Sequence, residues 1–218
     1  MRSFWLVLAL VGCRTAATSD ANEHAAARTQ LEHGIEQVER GDLAAGVESL
    51  RAALRVAPDD AELALRAHSW IGTALTRAGD PEGALRECEL ALALAPDDPW
   101  LHYACGVASY MLGELAAARA SFTRGLECDP RHIKCLQWRA LVLRDLDDDR
   151  AAIDDLTRAL ECIESADEAT LKSWHGDRRS LLLKTLNLRL QAFDDLGMHE
   201  AAGLDRARYE QVFARTAP

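Results

Sequence analysis

Near the C-terminus, apolar residues recur at Leu182, Leu186, Leu190 and Phe193, the spacing of one face of a helix. Gly197 interrupts this stripe, and a second helical segment runs from His199 to Ala214. Residues 181–214 therefore read as an antiparallel helix pair. The last helix is charged on its other faces at Asp205, Arg206, Arg208 and Glu210, as a solvent-facing cap of a stacked array should be. Just upstream, Trp174, His175 and Gly176 break the periodicity, so residues 165–180 read as an irregular connection. At the opposite end, Phe4 to Val11 is an unbroken apolar run, too short to span a bilayer as a helix.

Between these ends the pattern repeats. Gly34, Gly72 and Gly106 are separated by 38 and 34 residues; so are Gly41, Gly79 and Gly113, and so are Pro58, Pro96 and Pro130. Three independent markers with one period, and one four-residue insertion near residues 61–64, mark a repeat architecture. Each unit is expected to be two antiparallel helices. Gly79 permits the left-handed residue that ends a first helix, and Pro96 stops a second helix. Small residues such as Gly72 and Ala84 are expected where two helices approach closely.

The markers resemble the tetratricopeptide repeat. Ala118-x3-Phe122 followed by Pro130 matches its second half best. Residues 65–98 carry Ile71-Gly72, Ala84-x3-Cys88 and Pro96, and residues 27–60 carry Gly34, Gly46, Leu50 and Pro58. Residues 133–166 keep Ala140, Ala152, Leu156 and Ala159, but Asp147 replaces the turn glycine and the closing proline is missing. The Trp and Tyr of the family's first helix are absent; His68, His102 and Leu136 occupy Trp slots. The resemblance implies an all-α, right-handed solenoid of antiparallel helix pairs. It would comprise four repeats over residues 25–164, the connection 165–180 and the capping pair 181–214.

The N-terminal run reads as export chemistry. Met1–Arg2 is a short basic region, the apolar run follows, and Leu10-Val11-Gly12-Cys13 resembles the lipobox of bacterial lipoproteins. That resemblance implies a signal over residues 1–12, lipid on Cys13, and stable anchoring by two or three acyl chains. Residues 14–24 are small and polar, a tether of at most about 35–40 Å; 13–24 is expected to be the lipidated cysteine and its tether. Arg14, not Asp, follows the cysteine, which by the same resemblance favours the outer membrane, facing the periplasm.

Composition narrows the function. The formal net charge is −10, which argues against nucleic acid, since phosphate binding needs a basic surface. Only 6% of residues are aromatic, and the apolar excess is Ala and Leu, strong helix formers. No Gly-x-Ser-x-Gly, His-Glu-x-x-His or phosphate-binding glycine loop is present, so no catalytic residue, metal site or cofactor is expected. Asp147, Asp148 and Asp149 lack the glycine and terminal glutamate of a calcium loop and read as a solvated turn. Cys88 and Cys105 fall at apolar slots. Cys128 and Cys135 flank a turn containing Pro130, which suggests a disulfide between them; two free thiols, or a Cys88–Cys105 pair, remain open, and Cys162 is expected to stay reduced.

In the resembled family the inward-facing residues of each first helix line the binding groove. The register here gives Arg66, Thr73 and Arg77 in the second repeat, and Trp100, Tyr103, Val107 and Tyr110 in the third. The fourth contributes Lys134, Leu141 and Arg144. A basic edge would flank an apolar strip with an aromatic cluster, and aromatic and Arg side chains are the usual anchors of binding. Leu31, Ile35 and Val38 hold the same slots in the first repeat, where packing competes with exposure. The carboxylate clamp of chaperone-tail-binding members is not matched beyond Lys134. The expected function is a non-catalytic scaffold or assembly factor of the bacterial cell envelope, binding an acidic or amphipathic segment of another envelope protein. A small-ligand or glycan receptor using the aromatic patch is the alternative, and an envelope enzyme a more distant one.

Overall fold

The computed structural model describes residues 22–173 and 176–214. Cys13, the apolar run before it and most of the tether lie outside the described residues. Among the described residues every regular element is helical, and no helix is long and apolar enough to cross a membrane.

The chain divides into two compact units, Met1–Pro96 and Asp97–Pro218. The first holds α1 (22–40), α2 (Leu43–Val56), α3 (Ala61–Ala78) and α4 (Pro81–Leu94). Its core is a layer of small and branched side chains, with Leu31, Leu50 and Ile71 fully buried. The helix starts carry aspartate caps that the repeat markers did not include, and the expected stop at Gly79 is in place. Asp60 caps α3 by accepting from the Leu63 amide at 3.0 Å, and Asp80 caps α4 from Gly83 at 2.9 Å with Pro81 at the first helical position. Gly79 ends α3 with φ 79°. The helices approach at Gly72 and Ala84 as expected, and a tighter approach lies elsewhere. A Cβ on Gly72 would meet nothing nearer than 3.5 Å, whereas on Gly34 it would lie 2.8 Å from the Leu50 side chain, and on Gly46 2.5 Å from Val38. The tight contact is therefore α1 on α2.

The second unit holds α5 (Pro99–Met111), α6 (Leu115–Cys128), α7 (Ile133–Asp145), α8 (Asp149–Ser165), α9 (Glu168–Ser173), α10 (Arg178–Asp195) and α11 (His199–Ala214). Phe122 is fully buried at the centre of a cluster with Leu126, Leu136, Val142 and Ile163. The short α9 occupies the connection read as irregular, and α10 starts at Arg178, where the Asp177 carboxylate caps it from the Ser180 amide at 2.9 Å. The turn of the fourth repeat keeps its shape without glycine: Asp147 takes φ 59°, the same left-handed region as Gly113 and Gly197. A side chain there is strained, so Asp147→Gly should raise stability by about 0.5–1 kcal/mol once the extra freedom of glycine in the unfolded chain is deducted. Urea denaturation of the two proteins measures it; an unchanged or lower midpoint would count against strain at this turn.

A recurring ion-pair device joins the hairpins of this unit. Arg139 on α7 makes two parallel bonds to Asp155 on α8, at 2.7 and 2.6 Å, and its third nitrogen donates to Thr123 on α6 at 3.2 Å. Arg189 on α10 repeats this with Asp205 on α11, at 2.8 and 2.7 Å, and with Thr157 on α8 at 2.9 Å. Both carboxylates are buried, Asp155 at 3% and Asp205 at 4% exposure. The Arg–Asp pairs are offset by 50 residues, and the same offset relates Asp147 to Gly197 and Lys134 to Lys184. The pair α10–α11 is thus a fifth repeat in register with the fourth, displaced by an insertion that includes α9. Asp205, read from sequence as a solvent-facing residue of the cap, is instead the buried acceptor of this repeat.

Candidate protein-binding face

The residues expected to line a groove fall in both units. In the first unit they belong to α3. Arg66 is half-buried and pairs with Glu32 of α1 at 2.7 Å, and this hydrogen bond holds the Glu32 carboxyl below its ordinary pKa. Arg77 donates to the Val38 carbonyl at 2.6 Å, satisfying the open end of α1. Thr73 is exposed, and its hydroxyl donates to the Ser69 carbonyl at 2.9 Å. A cleft of about 190 Å³ borders Arg66, Arg28, Glu32 and Asp60, and its charges pair among themselves, Arg28 with Asp60 at 3.6 Å. Leu31, Ile35 and Val38 are core residues.

In the second unit the first helices are α5, α7 and α10. Tyr103 and Tyr110 are half-buried on α5. Val107, between them in sequence, is corrected from groove to core: it is buried at 8% exposure in the cluster around Phe122. Trp100 turns toward the start of α7, where its ring meets His132 edge-on at 4.4 Å and Tyr103 at 5.9 Å. His132 caps α7 through Nδ1, which accepts from the Cys135 amide, and burial lowers its pKa, so it stays neutral at pH 7.

One aromatic was missed by the register. Trp138 on α7 stands edge-on to Tyr110 at 5.5 Å and lies over the buried Phe122 ring at 6.3 Å, whose other aromatic neighbour is Tyr103 at 6.3 Å. It thereby joins the two expected tyrosines into one surface spanning α5 and α7. Donation to Asp145, at 2.8 Å, raises the pKa of Tyr110, while burial raises that of Tyr103. Leu141 is half-buried on α7. Arg144 is not a free edge charge: it pairs with Asp149 at 3.4 Å and with Asp195, and donates to Gln191 at 3.0 Å, tying α7 to α8 and α10. The basic edge thus reduces to Lys134, half-buried on α7, and to its repeat equivalent Lys184 on α10, whose ammonium lies 5.8 Å from the centre of the Trp138 ring. The sequence signal for Lys184 is the 50-residue offset.

The expected Cys128–Cys135 disulfide does not form; Cys128, Cys135 and Cys162 are free thiols. The turn does reverse the chain, but Cys135 points inward, with Sγ 3.9 Å from the Pro99 carbonyl and beneath Gly125, where an added Cβ would come within 2.7 Å of it. Burial pushes the pKa of the Cys135 thiol far up, and a thiol held protonated is a poor nucleophile. Iodoacetamide in native buffer should therefore modify half-buried Cys128 and Cys162 well before Cys135. Equal rates for all three by mass spectrometry would contradict the inward orientation.

Two profiles, both described as tetratricopeptide repeat, match residues 31–99 and 75–142. No curated protein sequence matches the chain. Among solved structures, a crystal structure of MamA protein superposes with a TM-score of 0.68 at 15% identity, covering 88% of this chain and 93% of that one. MamA 41-end from Desulfovibrio magneticus RS-1 gives 0.59 at 23% identity, over 65% and 78%. Pseudomonas aeruginosa pilF gives 0.66 at 16% identity, over 90% and 79%. At these identities the likeness is one of fold. With its spaced markers, its helical hairpins and the two profile matches, the chain is built of tetratricopeptide repeats.

Proposed function

We propose that this protein is a non-catalytic scaffold of the bacterial cell envelope, anchored by lipid on Cys13, whose first helices hold a segment of another envelope protein. Tetratricopeptide repeats bind protein partners, and stacked hairpins present extended surfaces suited to that use. The observation that carries the reading for this chain is the packing of Trp138 against Tyr110 and, across the Phe122 ring, with Tyr103. It gathers three partly exposed aromatics onto adjacent first helices in a chain where aromatics are scarce. Such rigid amphipathic side chains give contact area at low entropic cost. The envelope assignment is supported by the Leu10-Val11-Gly12-Cys13 run after the apolar segment.

The test places a photoreactive benzoylphenylalanine at Leu141, beside the aromatics, and as a control at Leu204, exposed at 70% on α11. Irradiation of cells should give a discrete adduct with one envelope protein from position 141 and not from 204. No adduct at 141, or the same adduct from both, overturns the proposed face; saturable glycan binding in place of an adduct would make the protein a receptor. The anchor has its own test. Cys13→Ala should leave an unprocessed or soluble precursor, and an unmodified thiol on an intact N-terminus in the membrane-extracted wild type would overturn it.

A further inference from the structure

His132 sits where the turn after α6 enters α7, and it is 1% exposed. Its Nδ1 accepts from the Cys135 amide at 3.1 Å, the capping bond of α7. A neutral imidazole that accepts at one nitrogen carries its proton on the other, so Nε2 is the donor. Nε2 is buried and has no hydrogen-bond partner among the described residues. The ring is instead held by aromatics of α5, with Trp100 edge-on at 4.4 Å and Tyr103 at 5.9 Å. Beside it the Cys135 thiol lies 3.9 Å from the Pro99 carbonyl, so the starts of α5 and α7 meet at this one place.

Each of these features opposes a second proton on the ring. Protonation turns Nδ1 into a donor, and a donor cannot accept from the Cys135 amide. It also places a positive charge at the positive end of α7. The charged groups nearby do not offset this. Asp129 and Asp98 attract the charge, but Asp98 already accepts from the Trp100 amide at 2.8 Å and Asp129 from the Arg131 amide at 2.9 Å. Lys134 repels it, and the Tyr103 hydroxyl and Cys135 thiol, both with raised pKa, stay protonated and neutral. Burial outweighs the two carboxylates and holds the pKa of His132 below its ordinary value. We infer that His132 is an acid-released latch between α5 and α7: on taking up a second proton its ring leaves the aromatic pocket for water, α7 loses its cap, and Trp100 and Tyr103 lose the side chain they enclose. Tyr103 belongs to the proposed binding face, so acidification loosens that face from one end. The latch is a property of the α5–α7 junction and holds whether or not the scaffold reading does.

The experiment compares the full-length chain with His132→Asn, both in detergent, by urea denaturation between pH 7.5 and 5.5. Asparagine is a favoured cap that does not titrate. A folded-state pKa below the unfolded value means that the unfolded chain binds the extra proton, so stability is lost as pH falls through the unfolded value of about 6.5. Over this range the folding equilibrium constant of the wild type should fall about tenfold relative to the variant. The comparison cancels the other histidines and the carboxylates, which both proteins share. Amide exchange, corrected for its intrinsic pH dependence, should rise at pH 5.5 in the wild type around residues 99–103 and 132–136 before α10 and α11. A parallel pH dependence of the two proteins, or a wild type that gains stability on acidification relative to the variant, overturns the latch; so does exchange that rises uniformly along the chain. Should the variant fail to fold, the wild-type imidazole decides by NMR, assigned through its contact with the Trp100 ring. A neutral Nε2–H tautomer persisting below pH 6 supports the latch, and a ring that protonates near pH 6.5 or above without loss of the Cys135 amide bond overturns it.

Discussion

Asp205→Ala should destabilise the protein by about 3–5 kcal/mol, the cost of leaving one member of a buried ion pair uncompensated. Arg189 would keep its charge at a largely buried position, lose both bonds to the carboxylate and retain the hydroxyl of Thr157 and the face of the Phe193 ring. The loss should be local before it is global. Asp205 lies on the last hairpin, so amide exchange should rise first in α10 and α11 and leave α5 and α6 protected. Asp155→Ala should cost a similar amount, but Asp155 sits between flanking hairpins and its loss should open α7 through α11. A replacement of both partners, such as R189M/D205L, removes the stranded charge and should recover most of the stability. The control is the exposed Arg206–Asp194 pair at 3.2 Å, where Arg206→Ala should cost under about 1 kcal/mol. Equal losses for D205A and R206A in chemical denaturation would show that the recurring pair is not a structural element of the repeats.

The same pair shows what could and could not be read from sequence. Glycine and proline report the backbone directly, because a left-handed turn or a helix stop admits few other residues. Hence Gly41, Gly79 and Gly113 give the hairpins and their period. The fate of a charge, by contrast, depends on what faces it across a helix contact. Arg66, Arg77 and Arg144 look like a basic edge in a helical register, but each meets a carboxylate or a carbonyl of a neighbouring helix. Lys134 and Lys184 do not, and only the three-dimensional neighbourhood separates the two cases. Trp138 escaped because it lies one position beyond Gln137, the α7 equivalent of Tyr103 at the 34-residue period, and a large indole reaches across that difference to Tyr110. The fifth repeat escaped because an insertion shifts its period to 50, and because Asp205 resembles any solvent-facing charge until Arg189 is placed opposite it. The cysteines fail for a related reason: chain reversal at Pro130 brings Cys128 and Cys135 near, but the direction of Cys135 is set by the space beneath Gly125.

Phe122→Ala should be among the most damaging single changes, at about 3–5 kcal/mol. The ring is fully buried and packs against Tyr103 and Trp138, so its removal opens a cavity beneath the aromatic surface of the proposed binding face. Its position also explains Gly106 on α5. A Cβ there would lie 2.6–2.8 Å from three atoms of the Phe122 ring, closer than non-bonded carbons come, and a ring packed on both faces has little room to move. Gly106→Ala alone should therefore cost about 1–3 kcal/mol through overpacking, although alanine is the better helix former by about 1 kcal/mol. The sign should reverse when the ring is absent. In the Phe122→Ala background the added methyl enters the vacated space, and Gly106→Ala should become neutral or stabilising. A double-mutant cycle in urea reads this as a coupling between the two sites. If Gly106→Ala costs the same in both backgrounds, the glycine is not there for the phenylalanine, and the close packing of α5 on α6 does not depend on that ring.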